Sequence, residues 1–223
     1  MHANVIQEFF SGACDIGNCP HFDQCRKECP TLDNTPNSTP QPGFIGRRYK
    51  GLVIIGSNPG IPKTKLFQKR EPIYLKHIYD FAIEKNFDKF QEYLDYASDY
   101  MTIWNNNLTN SYFRNLLGYD IENIAYINIV KCRSINTGSD PLNTVGYSVA
   151  RRCFTTHTVK QLDLLKPQWI VGHWKPIPDV LRKLGYRINQ YIPCYSGKRD
   201  WTYEQRAEEI IPFFKKLRST SGI

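Results

Sequence analysis

Residues 125–133, AYINIVKCR, restrict the fold more than any other stretch of this chain. The first part is short, apolar and β-branched, the pattern of a strand buried on both faces, as in parallel sheets covered by helices. Comparable apolar runs stand at 51–55 and 169–171, with a further strand expected over 186–193. The segments between them carry helical periodicity, and strands alternating with helices predict an α/β fold with a mainly parallel central sheet. In open sheets of this kind ligands collect beyond the carboxyl ends of the strands. There the run changes character, with Asn128 in its middle and Lys131 and Cys132 at its end. Alone, the stretch also reads as a core strand with a satisfied amide and an inert buried thiol.

The 223 residues suit a single domain spanning 1–223, and 41% apolar with 13% aromatic residues is a globular composition. A formal charge of +8 favours polyanionic partners, nucleic acid before a small acidic metabolite. No stretch is long and apolar enough to span a membrane, and residues 1–11 lack the apolar core of a signal peptide, so a cytoplasmic location is expected. A reducing compartment makes the seven cysteines candidates for metal or cluster ligation instead of disulfides. Their odd number leaves at least one thiol, such as Cys194, outside any four- or six-ligand scheme.

Residues 4–13 predict a short helix leading into Cys14, Cys19, Cys25 and Cys29, spaced C-x4-C-x5-C-x3-C. A local four-thiolate zinc knuckle is one reading, although the spacing is looser than paired C-x2-C. Residues 31–46 form a polar, proline-rich connector read as loop. The run at 51–55 ends in Gly56-Ser57-Asn58-Pro59-Gly60, a tight turn that lets backbone amides approach a ligand. A basic loop is expected over 61–70, where Lys63, Lys65, Lys69 and Arg70 surround Leu66 and Phe67. Helical pattern fills an apparent insertion at 72–107, and a second amphipathic segment covers 111–117. A polar loop over 133–143 precedes a helix over 145–165 carrying Cys153. A helix over 177–184 follows, then the segment CYSGKR at 194–199 and a last helix over 203–217.

Three of these motifs together resemble the uracil-DNA glycosylase superfamily, most of all its iron–sulfur branch. In that branch a strand ending Asn-Val-Val-Lys-Cys-Arg supplies a base-reading Asn and a cluster ligand. INIVKCR has Asn128 and Cys132 at the same separation. A further family cysteine lies on the next helix, which Cys153 suits, 21 residues on. The other two ligands come from an N-terminal segment, where either Cys14 with Cys19 or Cys25 with Cys29 fits. GSNPG matches the family's Gly-x-x-Pro-Gly turn, with Ser57 where the iron–sulfur branch carries an acid. Asn58 stands where other branches hold the attacking water. IPCYSGKR lacks the His or Asn of the second catalytic motif, and Ser196 or Tyr195 stands in that position. The resemblance runs over about residues 14–200, the insertion apart.

It implies a three-layer α/β/α sandwich, a [4Fe–4S] cluster (zinc being the alternative), a DNA partner and a monomer. The implied activity is monofunctional hydrolysis of an N-glycosidic bond, in base-excision repair or in defence. Asn58 and Ser196 would serve catalysis. Gly56, Ser57, Asn128 and Phe67 would contact the base, with Tyr112 a second candidate for stacking. Lys63, Lys198 and Arg199 would contact DNA. Small residues at 57 and 196 leave room for a base larger than uracil, such as a bulky modified cytosine of phage DNA. The rival expectations are an inactive DNA-binding protein on the same scaffold and a zinc knuckle fused to an unrelated α/β enzyme.

Overall fold

Five short strands pair into one sheet, and their register decides which side chains meet at its carboxyl edge. In the computed structural model they are β1 (Phe44–Ile45), β2 (Leu52–Gly56), β3 (Ile124–Asn128), β4 (Trp169–Gly172) and β5 (Tyr191–Pro193), in the order β1-β3-β2-β4-β5. The structure describes residues 2–33, 35, 38–60, 64–104, 120–135, 140–172, 176–188, 191–193 and 212. Segments 111–117 and 203–217 and the motif at 194–199 lie outside them, with Lys63, Tyr112, Cys194, Tyr195, Ser196, Lys198 and Arg199.

The fold is mixed α/β with a mostly parallel sheet. Strands β3, β2, β4 and β5 run parallel, and β1 adds an antiparallel edge against β3. The chain goes from β2 out to β3, then back across β2 to β4. The strand order therefore reverses around β2, and in such sheets that reversal opens a crevice at the strands' carboxyl ends. Gly56 and Asn128, the last residues of β2 and β3, are register partners there.

Helix α1 (His2–Gly17) is longer than the sequence pattern suggests and includes Cys14. A short α2 (Phe22–Glu28) carries Cys25. The connector that read as loop is partly structured: besides β1 it contains a bridge from Leu32 to Ser134. Gln41 N–H donates to Lys131 O and Asp33 N–H to Arg133 O, so it runs antiparallel along the chain leaving β3.

The expected basic loop over 61–70 is corrected, because α3 (Lys65–Glu84) begins inside it. Thr64 caps this helix by accepting from Phe67 N–H. Pro72 lies within α3, which continues past it although proline has no N–H to donate. Lys85, at φ 48°, turns the chain into α4 (Phe87–Trp104). The two helices form an aromatic hairpin in which Phe81, Phe90 and Tyr93 have ring centroids 5.1–5.8 Å apart. Tyr93 Oη donates to Gly43 O and stands 3.1 Å from Tyr74 Oη, joining the hairpin to the start of β1. Gly43 has φ +86°, and a Cβ there would stand 2.3 Å from Tyr126 O.

The segment read as loop at 133–143 ends in a short helix, α5 (Pro141–Thr144), capped by Asp140. The helix expected over 145–165 begins at Tyr147. Here α6 comprises Tyr147–Cys153, a π-helical segment Phe154–Thr158, and Val159–Leu165. α7 (Ile177–Lys183) lies between β4 and β5. Among the described residues no helix is long and apolar enough to cross a membrane.

Candidate functional site

Side chains alternate across a strand, so Tyr126 and Asn128 project from the same face of β3. Beside them β2 ends in glycine. A Cβ at Gly56 would stand 2.3 Å from Asn128 Oδ1 and 2.8 Å from Tyr126 Oη, so the missing side chain is what lets the Asn128 carboxamide lie over the end of β2. Asn128 is 5% exposed, and its Oδ1 finds no hydrogen-bond partner among the described residues. A buried, unpaired carbonyl oxygen costs about 1–3 kcal/mol. Such an atom at the carboxyl edge of a parallel sheet marks a position that a ligand donor would satisfy.

Beyond β3 the chain fastens the neighbouring turn: Ile129 N–H donates to Gly56 O and Val130 N–H to Ser57 O, both at 2.9 Å. Ser57 is 2% exposed, and its hydroxyl donates to Asn58 Oδ1 at 3.1 Å. Asn58 Nδ2 donates to Pro59 O at 3.1 Å, fixing the half-buried carboxamide within its own turn. Ser57 therefore orients Asn58, where an acid had been the resemblance's expectation.

Two positions later the same chain enters a group of thiols. Cys19, Cys25, Cys132 and Cys153 line one narrow cavity of about 10 Å³. This set takes one member from each of the two N-terminal pairs. Cys14 sits elsewhere, with Sγ directed at Phe81 O, 3.8 Å away in α3. Cys29 Sγ lies 3.0 Å from Thr31 Oγ1. Neither Cys14 nor Cys29 lines the cavity. Among the described residues no three Cys, His, Asp or Glu stand so as to hold a single metal ion.

The surroundings of these thiols are rich in N–H groups. Lys131 N–H donates to Cys153 Sγ at 3.2 Å, and Arg152 Nη1 to Cys25 Sγ at 3.4 Å. His157 Nε2 stands 3.1 Å from Cys19 Sγ. Arg152 is itself held by Glu28 at 2.9 Å. Burial, and then the other thiols, push Cys132 well above the ordinary thiol range, and burial pushes Cys153 up to about 11. Burial and then Lys131 lower His157 to about 4, leaving a neutral imidazole. Four thiols close together, three of them buried, repel one another as anions, and a cationic metal centre would reverse that.

Arg133, next in the chain, is buried against two carboxylates, Asp33 of the connector and Glu71 of α3. It joins the hairpin, the connector and the strand end. Phe67, expected to stack on a base, packs edge-on against Tyr100 at 5.5 Å within the hairpin. Arg70, read as part of a basic loop, is engaged by Asp99 and Tyr96.

Sequence reasoning missed Tyr126, His157 and Gln161. Cys153, His157 and Gln161 recur every fourth residue, so the shared helix face was a signal available before any coordinates. No protein-family model matches the chain, and no curated protein matches it in sequence.

Proposed function

We propose that this chain is a DNA glycosylase that hydrolyses the N-glycosidic bond of a flipped pyrimidine, uracil or a modified base. The single observation that carries the reading is the buried, unpaired Asn128 Oδ1 over Gly56 at the edge of the strand-order reversal. An amide offers one donor group and one acceptor, the complement of a pyrimidine's Watson–Crick edge. The fold in this reading is a three-layer α/β/α sandwich of the uracil-DNA glycosylase kind, working on DNA as a cytoplasmic monomer. The charge of +8 supports a polyanionic partner.

Asn58, oriented by Ser57, still has an acceptor lone pair on Oδ1 for a water beside the anomeric carbon. The water oxygen bonds to that carbon as the bond to the base breaks. The base leaves with the electron pair, and the proton lost by water ends on it. Backbone amides of the turn at 56–58 and the Asn128 amide stabilise the departing anion. Ser196, Lys198 and Arg199 keep their expected roles toward DNA.

Cys19, Cys25, Cys132 and Cys153 would hold a [4Fe–4S] cluster, which when bound supplies a cross-link between the N-terminal helices and the sheet. The thiol donor set and the N–H groups around it fit that group. A catalytically inactive DNA-binding protein is the second reading, favoured by one observation: both ends of the Asn58 carboxamide are engaged within its own turn.

The test is a panel of duplexes and single strands, each with one uracil, thymine, 5-methylcytosine or bulky modified cytosine, scored for alkali-labile abasic sites. Cleavage of at least one substrate that disappears in Asn58→Ala, with DNA affinity kept, supports the enzyme. Binding without cleavage of any substrate supports the inactive reading.

A further inference from the structure

Lys131 is 0% exposed, among the largest wholly buried side chains of the molecule. A lysine is almost never fully buried unless it is paired. Its ammonium donates to Asn128 O at 2.6 Å and to Gln161 Oε1 at 2.5 Å, both neutral. Gln161 is held in turn by Pro42 O at 2.7 Å. Among the described residues no carboxylate forms an ion pair with Lys131, while Arg133, Arg152 and Arg182 each have at least one. Desolvating a cation without an opposite charge costs several kcal/mol, and burial lowers Lys131 to about 7. Among the described residues, the thiol cavity that Lys131 lines is a neighbouring feature with the capacity for negative charge.

We propose that Lys131 is the buried countercharge of an anionic thiolate centre in this cavity, joined through the Asn128 carbonyl to the proposed base-reading edge of the sheet. The inference rests on the cluster reading given above. Four thiolates around a [4Fe–4S] core carry net negative charge, and a cation enclosed with them favours assembly and eases the addition of an electron. The carbonyl of Asn128 that receives the ammonium also accepts from Thr158 Oγ1 at 3.1 Å. Lys131 thus acts on the centre and positions the backbone that presents the Asn128 amide.

The experiment compares full-length wild type with Lys131→Met, and with Lys131→Gln as the more polar substitute. Each is reconstituted anaerobically with ferrous iron and sulfide. Three quantities are read: loss of visible absorbance in excess chelator, the midpoint potential of the centre, and the melting temperature of the metal-free chain. The expected result is a metal-free Lys131→Met chain at least as stable as wild type, because a neutral side chain replaces a buried ammonium. Its centre should be lost about tenfold faster, as outer-shell partners typically require, and its potential should be more negative. Lys131→Gln should show the same two changes in the centre. Wild-type rate and potential in both variants would overturn the inference while leaving the cluster reading intact. A wild-type chain that takes up no iron and sulfide would overturn the cluster reading, and this inference with it.

Discussion

Gly56 acts through the atom it lacks. With no Cβ it admits the Asn128 carboxamide over the end of β2, and a methyl group there would stand 2.3 Å from Oδ1. Because Asn128 is buried, its amide has little room to swing away. Gly56→Ala should therefore displace the base-reading amide before it unfolds the sheet. Base release on the best substrate should fall by about 10²-fold, the scale of losing one preorganised donor, with the circular dichroism of wild type. Unchanged turnover would mean that Asn128 does not read the base. The cysteines divide equally sharply. Cys25→Ser or Cys19→Ser should abolish iron retention, whereas Cys14→Ser and Cys29→Ser should keep it, since those two sulfurs face Phe81 O and Thr31 Oγ1. Iron and acid-labile sulfide assays on the four variants check this, and iron lost from Cys14→Ser alone would contradict the assignment.

At the scale of elements, the α3–α4 hairpin packs its aromatic rings against α1 and is tied to the start of β1 by the Tyr93 phenol, which Tyr74 adjoins. Burial raises Tyr74 to about 12 and Tyr93 well above the ordinary phenol range, and it raises Tyr100 as well. The sign of the linkage follows. Below pH 10 both folded and unfolded chains keep these protons. Above pH 10 the unfolded chain releases them while the fold retains them, so stability falls as pH rises toward 12 and beyond. Each such group contributes a slope of about 1.4 kcal/mol per pH unit over that interval. Tyrosinate absorbance from this set should appear together with loss of far-ultraviolet dichroism. Ionisation of all 14 tyrosines near pH 10 with the dichroism intact would contradict it. Separately, Tyr93→Phe removes the donor to Gly43 O and should cost about 1–2 kcal/mol in denaturant unfolding.

Across the whole molecule, what was legible in the sequence followed from periodicity. The runs at 51–55, 125–130 and 169–171 show buried strands because parallel strands are apolar on both faces. Asn128 and the Gly56 turn were legible for the complementary reason: polar and glycine residues interrupt those runs at one end. Pairings between distant segments were not legible. No spacing in the N-terminal cluster distinguishes Cys19 and Cys25 from their neighbours; the selection comes from how α1, α2 and α6 pack. Nor does the sequence show that Thr64 caps a helix through a basic stretch, or that Arg133 has carboxylates from two other segments against it. Such partners are set by tertiary contact.

The thiol site and the proposed base-reading edge are separated by three residues of one chain, 129–131. The most direct test of the account is single-turnover release of free base from the best substrate, comparing wild type with Asn128→Ala at matched DNA occupancy. The account expects release to fall by about 10²–10³-fold, in line with losing one preorganised donor, while DNA affinity stays within about threefold, because phosphate contacts dominate it. Release at the wild-type rate from Asn128→Ala would contradict it.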